Sequence, residues 1–392
     1  MKKDIHNHQD RFEKWKKDIL NSEGKLNPKY IEEGLTRANS DVIIQYVLDM
    51  EVGRNVSNRV KKEGRSYSRL NNLRVRVSSI ARKLQDRGIK DITKLTEVQI
   101  TDFFSDMRKG ILKTNNGKIY KSVSDYAKVF KAFWNWHMKV NRKKGIIVKD
   151  IIEDIDTSQE EQPAFVFMSK ENLKKLLPYL EDKEQLIVQF VYDSIIRSPT
   201  ELMSLQIKNI YEQNGEVWVN IPEAISKTFE RDFNLLYCGQ DILKYIKDKD
   251  PDDYLFEFSY PLFTRKLRKV AEQVFGKKIS HAKAKGLFSD LTLYDLRHSG
   301  AINLRQLASK NGHISLDAIR QRGGWVTFKM LDYYTKFLGL DGHIEKSEIV
   351  LKEDKSKMEN ELAELKHKMA RITGKMEGLI NGEIPMSRIL KK

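Results

Sequence analysis

Residues 323–337 read GGWVTFKMLDYYTKF. Two glycines close one segment, and a helix is predicted from about 327 to 338. Tyr334 follows Trp325 by nine residues and stands beside Tyr333. Neighbouring side chains on a helix point about 100° apart, so only one of the two tyrosines can face a given site. Upstream, residues 293–301 read LYDLRHSGA and place Arg297 and His298 on a helix predicted over 294–308. Further back, residues 195–210 read IIRSPTELMSLQIKNI. There Arg197 closes a helix predicted over 183–197, two residues before Pro199, and Glu201 opens the next helix. Between these pieces EVWVNIPEAI (216–225) and DFNLLYC (232–238) read as strands, joined by a polar turn that holds Lys227. Helices predicted at 169–180, 239–248, 261–275 and 315–322 complete a mainly α unit with one small hairpin.

Singly, each piece has an ordinary explanation. An arginine beside a helix start is usually a surface residue, a turn lysine is usually solvated, and a Tyr-Tyr pair is usually part core. As an ordered set they resemble the tyrosine recombinase (phage integrase) family, over about residues 165–340. That family carries Arg-x-x-Glu-Leu, a hairpin lysine, His-x-x-Arg, Gly-His/Trp and then a tyrosine nine residues later. The resemblance implies Tyr334 as nucleophile, with Arg197, Arg297, Lys227, Trp325 and His298 in the site. Two positions depart from the pattern: Tyr294 stands where the family has histidine or lysine, and one extra residue precedes Glu201. Tyr294 can donate a hydrogen bond to a phosphate oxygen but brings no cation near neutral pH, which leaves its acid-base role open. The spelling RSPTEL is most similar to archaeal members, which points to an archaeal or archaeal mobile-element integrase.

The residue types suit phosphodiester chemistry. Attack builds charge on the non-bridging oxygens, and two arginines offer permanently charged, forked donors for them. A tryptophan N–H donates only, so Trp325 can hold an oxygen but cannot shuttle a proton. A free phenol is mostly protonated near neutral pH, and adjacent arginines are expected to favour the phenolate. The resemblance implies a 3′-phosphotyrosine ester that conserves the bond energy, with Lys227 protonating the leaving 5′-oxygen. No cofactor or metal is expected, since no Asp/Glu cluster suited to a two-metal nuclease is visible.

Outward from this unit, the chain has 392 residues and a net charge of +16. Residues 61–145 hold 22 Lys/Arg against 7 Asp/Glu, a local excess of +15. Most of the net charge therefore sits in one stretch, as polyanion binders arrange it. That stretch reads as helices. Leu70, Leu73, Val77, Ile80 and Leu84 recur at helical spacing up to Gly88. Thr96 and Gln99 form a capping box. Ser122 and Asp125 open a helix carrying Tyr126, Phe130, Phe133, Trp134 and His137. The aromatics read as core. The basic residues expected to meet DNA are Arg65, Arg69, Arg74, Arg76, Arg82, Lys83, Lys121, Lys128 and Lys131. The segment Glu153–Pro163 is acidic and polar and reads as a linker. From Leu351, the residues Met358, Leu362, Leu365, Met369, Ile372, Met376 and Leu379 alternate at four and three, a coiled-coil seam weakened by Lys355. It serves either self-association or docking on its own domain.

The expected fold is therefore mainly α with a small antiparallel β-sheet, in a two-domain C-shaped clamp. Residues 1–40 are an N-terminal extension, 41–156 a helical core-binding domain, 157–345 the catalytic domain and 346–392 the coiled-coil tail. Cys238 is the one cysteine, which excludes an internal disulfide and fits a reducing cytoplasm. No run of 18 apolar residues and no secretory signal is visible, so no membrane role is expected. The resemblance implies a double-stranded DNA partner at a specific recombination site and a homo-tetramer on DNA, and it allows an accessory protein that sets direction. Two alternatives stay open. One is a type IB topoisomerase-like enzyme that relaxes DNA. The other is a catalytically degenerate DNA-binding accessory protein.

Overall fold

The computed structural model describes residues 4–55, 64–158, 164–311 and 314–339, with Leu362, Leu365, Lys366, Lys368, Met369 and Thr373 of the tail. Two compact units divide between Ala164 and Phe165. The first holds α1 (His8–Ile19), α2 (Arg37–Glu51), α3 (Tyr67–Gln85), α4 (Glu97–Arg108) and α5 (Val123–Arg142). Phe12, Trp15, Ile19 and Leu35 are buried in one core with Leu73, Ile80, Phe130 and Trp134. Residues 1–40 were expected as an extension; α1 instead supplies core side chains, and the described part of that stretch belongs to the unit. Ile151, Ile152 and Ile155 join the same core, so the start of the expected linker is packed rather than free. Thr96 and Gln99 do form a capping box on α4. Ser122 makes no side-chain cap on α5.

The second unit runs α6 (Lys170–Leu176), α7 (Asp182–Ser194), α8 (Thr200–Ser204), β1 (Ile210–Gln213), β2 (Glu216–Ile221), β3 (Arg231–Asn234), α9 (Gly239–Ile246), α10 (Tyr260–Phe275), α11 (Leu293–Asn311), α12 (Leu316–Arg322) and α13 (Lys329–Leu338). The chain is mainly α with a three-stranded antiparallel meander in the order β1-β2-β3. Ile210 pairs with Val219, and Ile221 with Arg231. The hairpin read from the sequence thus gains a third strand. It also loses length: the amides of Leu236, Tyr237 and Cys238 donate to the buried Asp193 carboxylate instead of continuing a ladder.

Two cores build this unit. The larger gathers α7, the sheet, α10 and the start of α11. The smaller joins Phe165, Ile195, Ala301, Ile302, Leu331, Tyr334 and Phe337, and so seats α13 against α11. Of the expected C-terminal seam, Leu362, Leu365 and Met369 are helical and exposed. Met358, Ile372, Met376, Leu379 and Lys355 lie outside the described residues. Among the described residues, no helix is long and apolar enough to cross a membrane.

Candidate active site

Arg297 owes its position to how α11 begins and what it packs against. The Asp295 carboxylate accepts from the Thr292 amide and hydroxyl, at 2.8 and 2.5 Å, and from the Val166 amide at 2.9 Å. This fixes the first turn of the helix. One turn on, a Cβ at Gly300 would lie 2.0 Å from the Tyr192 carbonyl oxygen, so only glycine lets α11 lie this close to α7. At the end of α7, Ile195 adopts a left-handed conformation (φ 47°, ψ 33°). Its carbonyl accepts from Arg297 Nη1 at 2.5 Å. A β-branched residue there is strained, and the packed helices hold it.

Arg297 is 2% exposed, and its Nη2 donates to the Gly323 carbonyl at 2.6 Å. Burial, and then the Arg197 cation, pull its guanidinium down to about 10, still charged near neutral pH. Arg197 reaches the same turn from the other side: its Nη2 donates to the Gly324 carbonyl and its Nη1 to Glu201 Oε1 at 2.7 Å. The two guanidiniums thus end on consecutive carbonyls. Trp325 follows directly, with its ring 5.1 Å from the Arg297 guanidinium carbon and 5.6 Å from the Tyr334 ring.

The Tyr334 hydroxyl lies 2.9 Å from His298 Nδ1. Burial, with a smaller push from Arg297, lowers the His298 imidazole to about 4, so it is neutral near pH 7. Tyr334 is wholly buried. Burial pushes its phenol above the ordinary value, and Arg297 offsets only part of that. The arginine-driven acidity expected from the sequence is therefore outweighed in this state, because the phenol is buried. Tyr333 is half-buried and turns toward Phe165, with ring centroids 6.0 Å apart. Tyr294 is exposed and meets His298 edge-on at 5.1 Å. Lys227 is exposed in the β2–β3 connection; its neighbour Thr228 donates to the Gly324 carbonyl at 2.9 Å, folding that connection onto the glycine turn. Among the described residues, no group of three or more His, Cys, Asp and Glu side chains is arranged to hold a metal ion.

Residues 166–338 match the family described as the phage integrase family. These residues form a phage integrase domain. It is the domain of the tyrosine recombinases, whose members cleave and rejoin DNA. The chain is also similar to solved structures, of which the first agrees on the fold. One is the XerH site-specific recombinase bound to palindromic difH substrate in a post-cleavage complex, with TM-score 0.50 and 15% identity over 79% of this chain and 96% of that one. Another is the Tn1549 transposon integrase in complex with transposon right end DNA, with TM-score 0.48 and 14% identity over 83% of this chain and 99% of that one. A lambda integrase dimer bound to a COC′ core site gives TM-score 0.42 and 14% identity over 79% of this chain and 80% of that one. No curated protein matches the chain.

In the unit that precedes the integrase domain, the nine basic residues singled out from the sequence fall into different surroundings. Arg69, Lys121 and Lys128 are exposed. Arg74 stacks on Trp15 and faces Glu32 at 3.6 Å. Arg76 pairs with Asp125 at 3.2 Å, and Arg82 donates to the Glu33 carbonyl at 2.9 Å. Lys131 donates to the carbonyls of Glu153 and Ile155. Arg74, Arg76, Arg82 and Lys131 therefore serve internal contacts, which charge counting could not separate from an open surface. Arg65 and Lys83 are half-buried. Sequence reading also passed over Glu201 as a site residue and missed Arg231 entirely. Both are buried beside the partly exposed Arg197, and their 30-residue separation gives no local pattern.

Proposed function

We propose that the chain is a site-specific recombinase in which Tyr334 attacks a DNA phosphodiester and Arg197 and Arg297 hold its non-bridging oxygens. A bond forms between the phenolic oxygen and phosphorus, and the bond to the 5′-oxygen breaks. The product is a 3′-phosphotyrosine ester, which a second 5′-hydroxyl reverses without ATP. Lys227 gives a proton to the leaving oxygen, by family analogy. The phenol proton has an acceptor within reach in neutral His298, and Trp325 and Tyr294 are further donors. The observation that carries this reading is that the Tyr334 hydroxyl meets His298 beside Arg297 and Trp325, while Tyr333 turns to Phe165.

The state described is closed. One nitrogen of each guanidinium donates to the carbonyl of Gly323 or Gly324, and Tyr334 is buried. Each guanidinium keeps N–H groups beyond the one on its glycine carbonyl, so a phosphate can join this block, and productive DNA binding includes release of Tyr334 from His298. The partner is double-stranded DNA at a specific site. The reaction integrates or excises a mobile element, or resolves joined DNA. The family resemblance and the exposed apolar residues of the tail support four copies acting on two sites, and the single cysteine supports a cytoplasmic setting.

A pool of nicked duplexes with randomised cores tests the reading. Cleavage beside a nick releases a short fragment, so the covalent protein–DNA adduct accumulates and can be recovered on a denaturing gel. Wild type and Tyr333→Phe are expected to give the adduct, and Tyr334→Phe none. An adduct that survives Tyr334→Phe sinks the assignment.

A further inference from the structure

Arg231, the first residue of β3, is 5% exposed and ties three elements together. Its Nη2 donates to Glu201 Oε2 at 2.6 Å and its Nη1 to Glu201 Oε1 at 3.3 Å. Its Nε donates to the Arg322 carbonyl at 3.0 Å, immediately before Gly323. Its Nη1 also reaches the Ser226 hydroxyl at 3.4 Å, next to Lys227. Glu201 in turn holds Arg197 twice, at the side-chain Nη1 and at the backbone amide.

Burial alone would push the Glu201 carboxyl up. The hydrogen bonds and charge of Arg231, with help from Arg197, outweigh this and hold it below the ordinary value. The carboxylate is therefore ionised and shared by two cations. A Cβ built at Gly324 would come within 2.8 Å of Arg197 Nη1 and 3.0 Å of Arg231 Nη1, so both guanidiniums press on one glycine. The turn at Gly323–Trp325, Arg197 and Arg231 thus pack as one block.

We infer that Arg231 is a positioning residue for DNA cleavage, which fixes Arg197 and the glycine turn through Glu201 and the Arg322 carbonyl without touching DNA itself. Without a second cation, Glu201 would draw Arg197 inward and away from a phosphate. Lysine cannot replace Arg231. One ammonium can neutralise Glu201, but it lacks the planar fork that reaches both carboxylate oxygens and a backbone carbonyl on a separate edge. This inference rests on the assignment of Arg197 to the phosphate.

The test uses full-length protein and a nicked duplex recovered from the randomised pool. The scissile position carries either a phosphodiester or a methylphosphonate, which lacks one anionic oxygen. Arg231→Lys is expected to bind the duplex as wild type does. Its single-turnover adduct rate should fall roughly 100-fold on the phosphodiester, the scale of a displaced binding group. On the methylphosphonate the loss should shrink to about tenfold or less, because less oxygen charge needs Arg197. An undiminished rate on the phosphodiester overturns the proposal, as does an equal loss on both substrates, the sign of a purely structural role. Should Arg231→Lys fail to fold, the double variant Glu201→Met with Arg231→Met removes the buried pair together, a change that folds often tolerate. It should show the same selective loss, and an equal loss on both substrates overturns the proposal here too. A wild-type protein that yields no adduct at all removes the reading of the whole site, whereas wild-type adduct with an unimpaired Arg231→Lys removes only this inference.

Discussion

Neutral His298 lies 2.9 Å from the buried Tyr334 hydroxyl. Its imidazole titrates near 4 in the folded protein against 6.5 ordinarily, because it is buried and lies beside Arg297. As pH falls from 6.5 toward 4, the unfolded chain takes up a proton that the folded chain refuses. The stability contributed by this site is full above that window, is lost across it, and changes no further below it. The shift corresponds to roughly 3 kcal/mol. His298→Gln should therefore show a shallower fall of melting temperature across that window than wild type, and parallel curves would show that His298 is not the group responsible. The site around it was partly legible in the sequence. The family resemblance singled out Arg197, Arg297, Trp325 and Tyr334, and the fold brings these four together at one glycine turn. The direction of the Tyr334 shift was not legible, since burial is a property of the packed α13–α11 contact. Nor was the Glu201–Arg231 pair, which forms only once the sheet meets α8.

Helices were legible in kind and less so at their ends. The segment read as 183–197 stops at Ser194, because Ile195 leaves the helix in a left-handed conformation to point its carbonyl at Arg297. The strand read as 232–238 ends at Asn234, because Asp193 takes the next amides but one. β1 was missed since only Ile210 of its four residues is buried, leaving no alternation to read. These departures cluster where tertiary contacts override local pattern, and the contact between α7 and α11 is the most demanding of them. A methyl group at Gly300 would press on the Tyr192 carbonyl. Gly300→Ala should separate the two helices, cost about 1–3 kcal/mol by overpacking, and move Arg297 off Ile195. Chemical denaturation would read the stability loss, and the rate of adduct formation on the nicked duplex should fall with it. An unchanged stability would mean that the two helices can slide apart without cost.

At the scale of the whole chain, the basic excess and the candidate site sit in different units. The excess of +15 over residues 61–145 lies in the unit of α1–α5, while Tyr334 and its arginines lie in the integrase domain. The composition showed that the first unit is basic but could not show which cations face solvent. Arg74, Arg76, Arg82 and Lys131 are used internally, and removing them would act through stability. Arg69, Lys121 and Lys128 are exposed and are the better candidates for phosphate contacts. Each such contact releases counterions and adds about 0.9 to the slope of log affinity against log salt. The triple variant Arg69→Ala, Lys121→Ala, Lys128→Ala should therefore bind duplex DNA with a slope reduced by about 2–3, at unchanged melting temperature. Arg76→Ala breaks the pair with Asp125. It should leave the slope nearly unchanged and lower the melting temperature instead. Fluorescence anisotropy at several salt concentrations separates the two classes. If the triple variant keeps the wild-type slope, the basic excess of this unit does not reach DNA through these three residues, and the contact must be sought on another face.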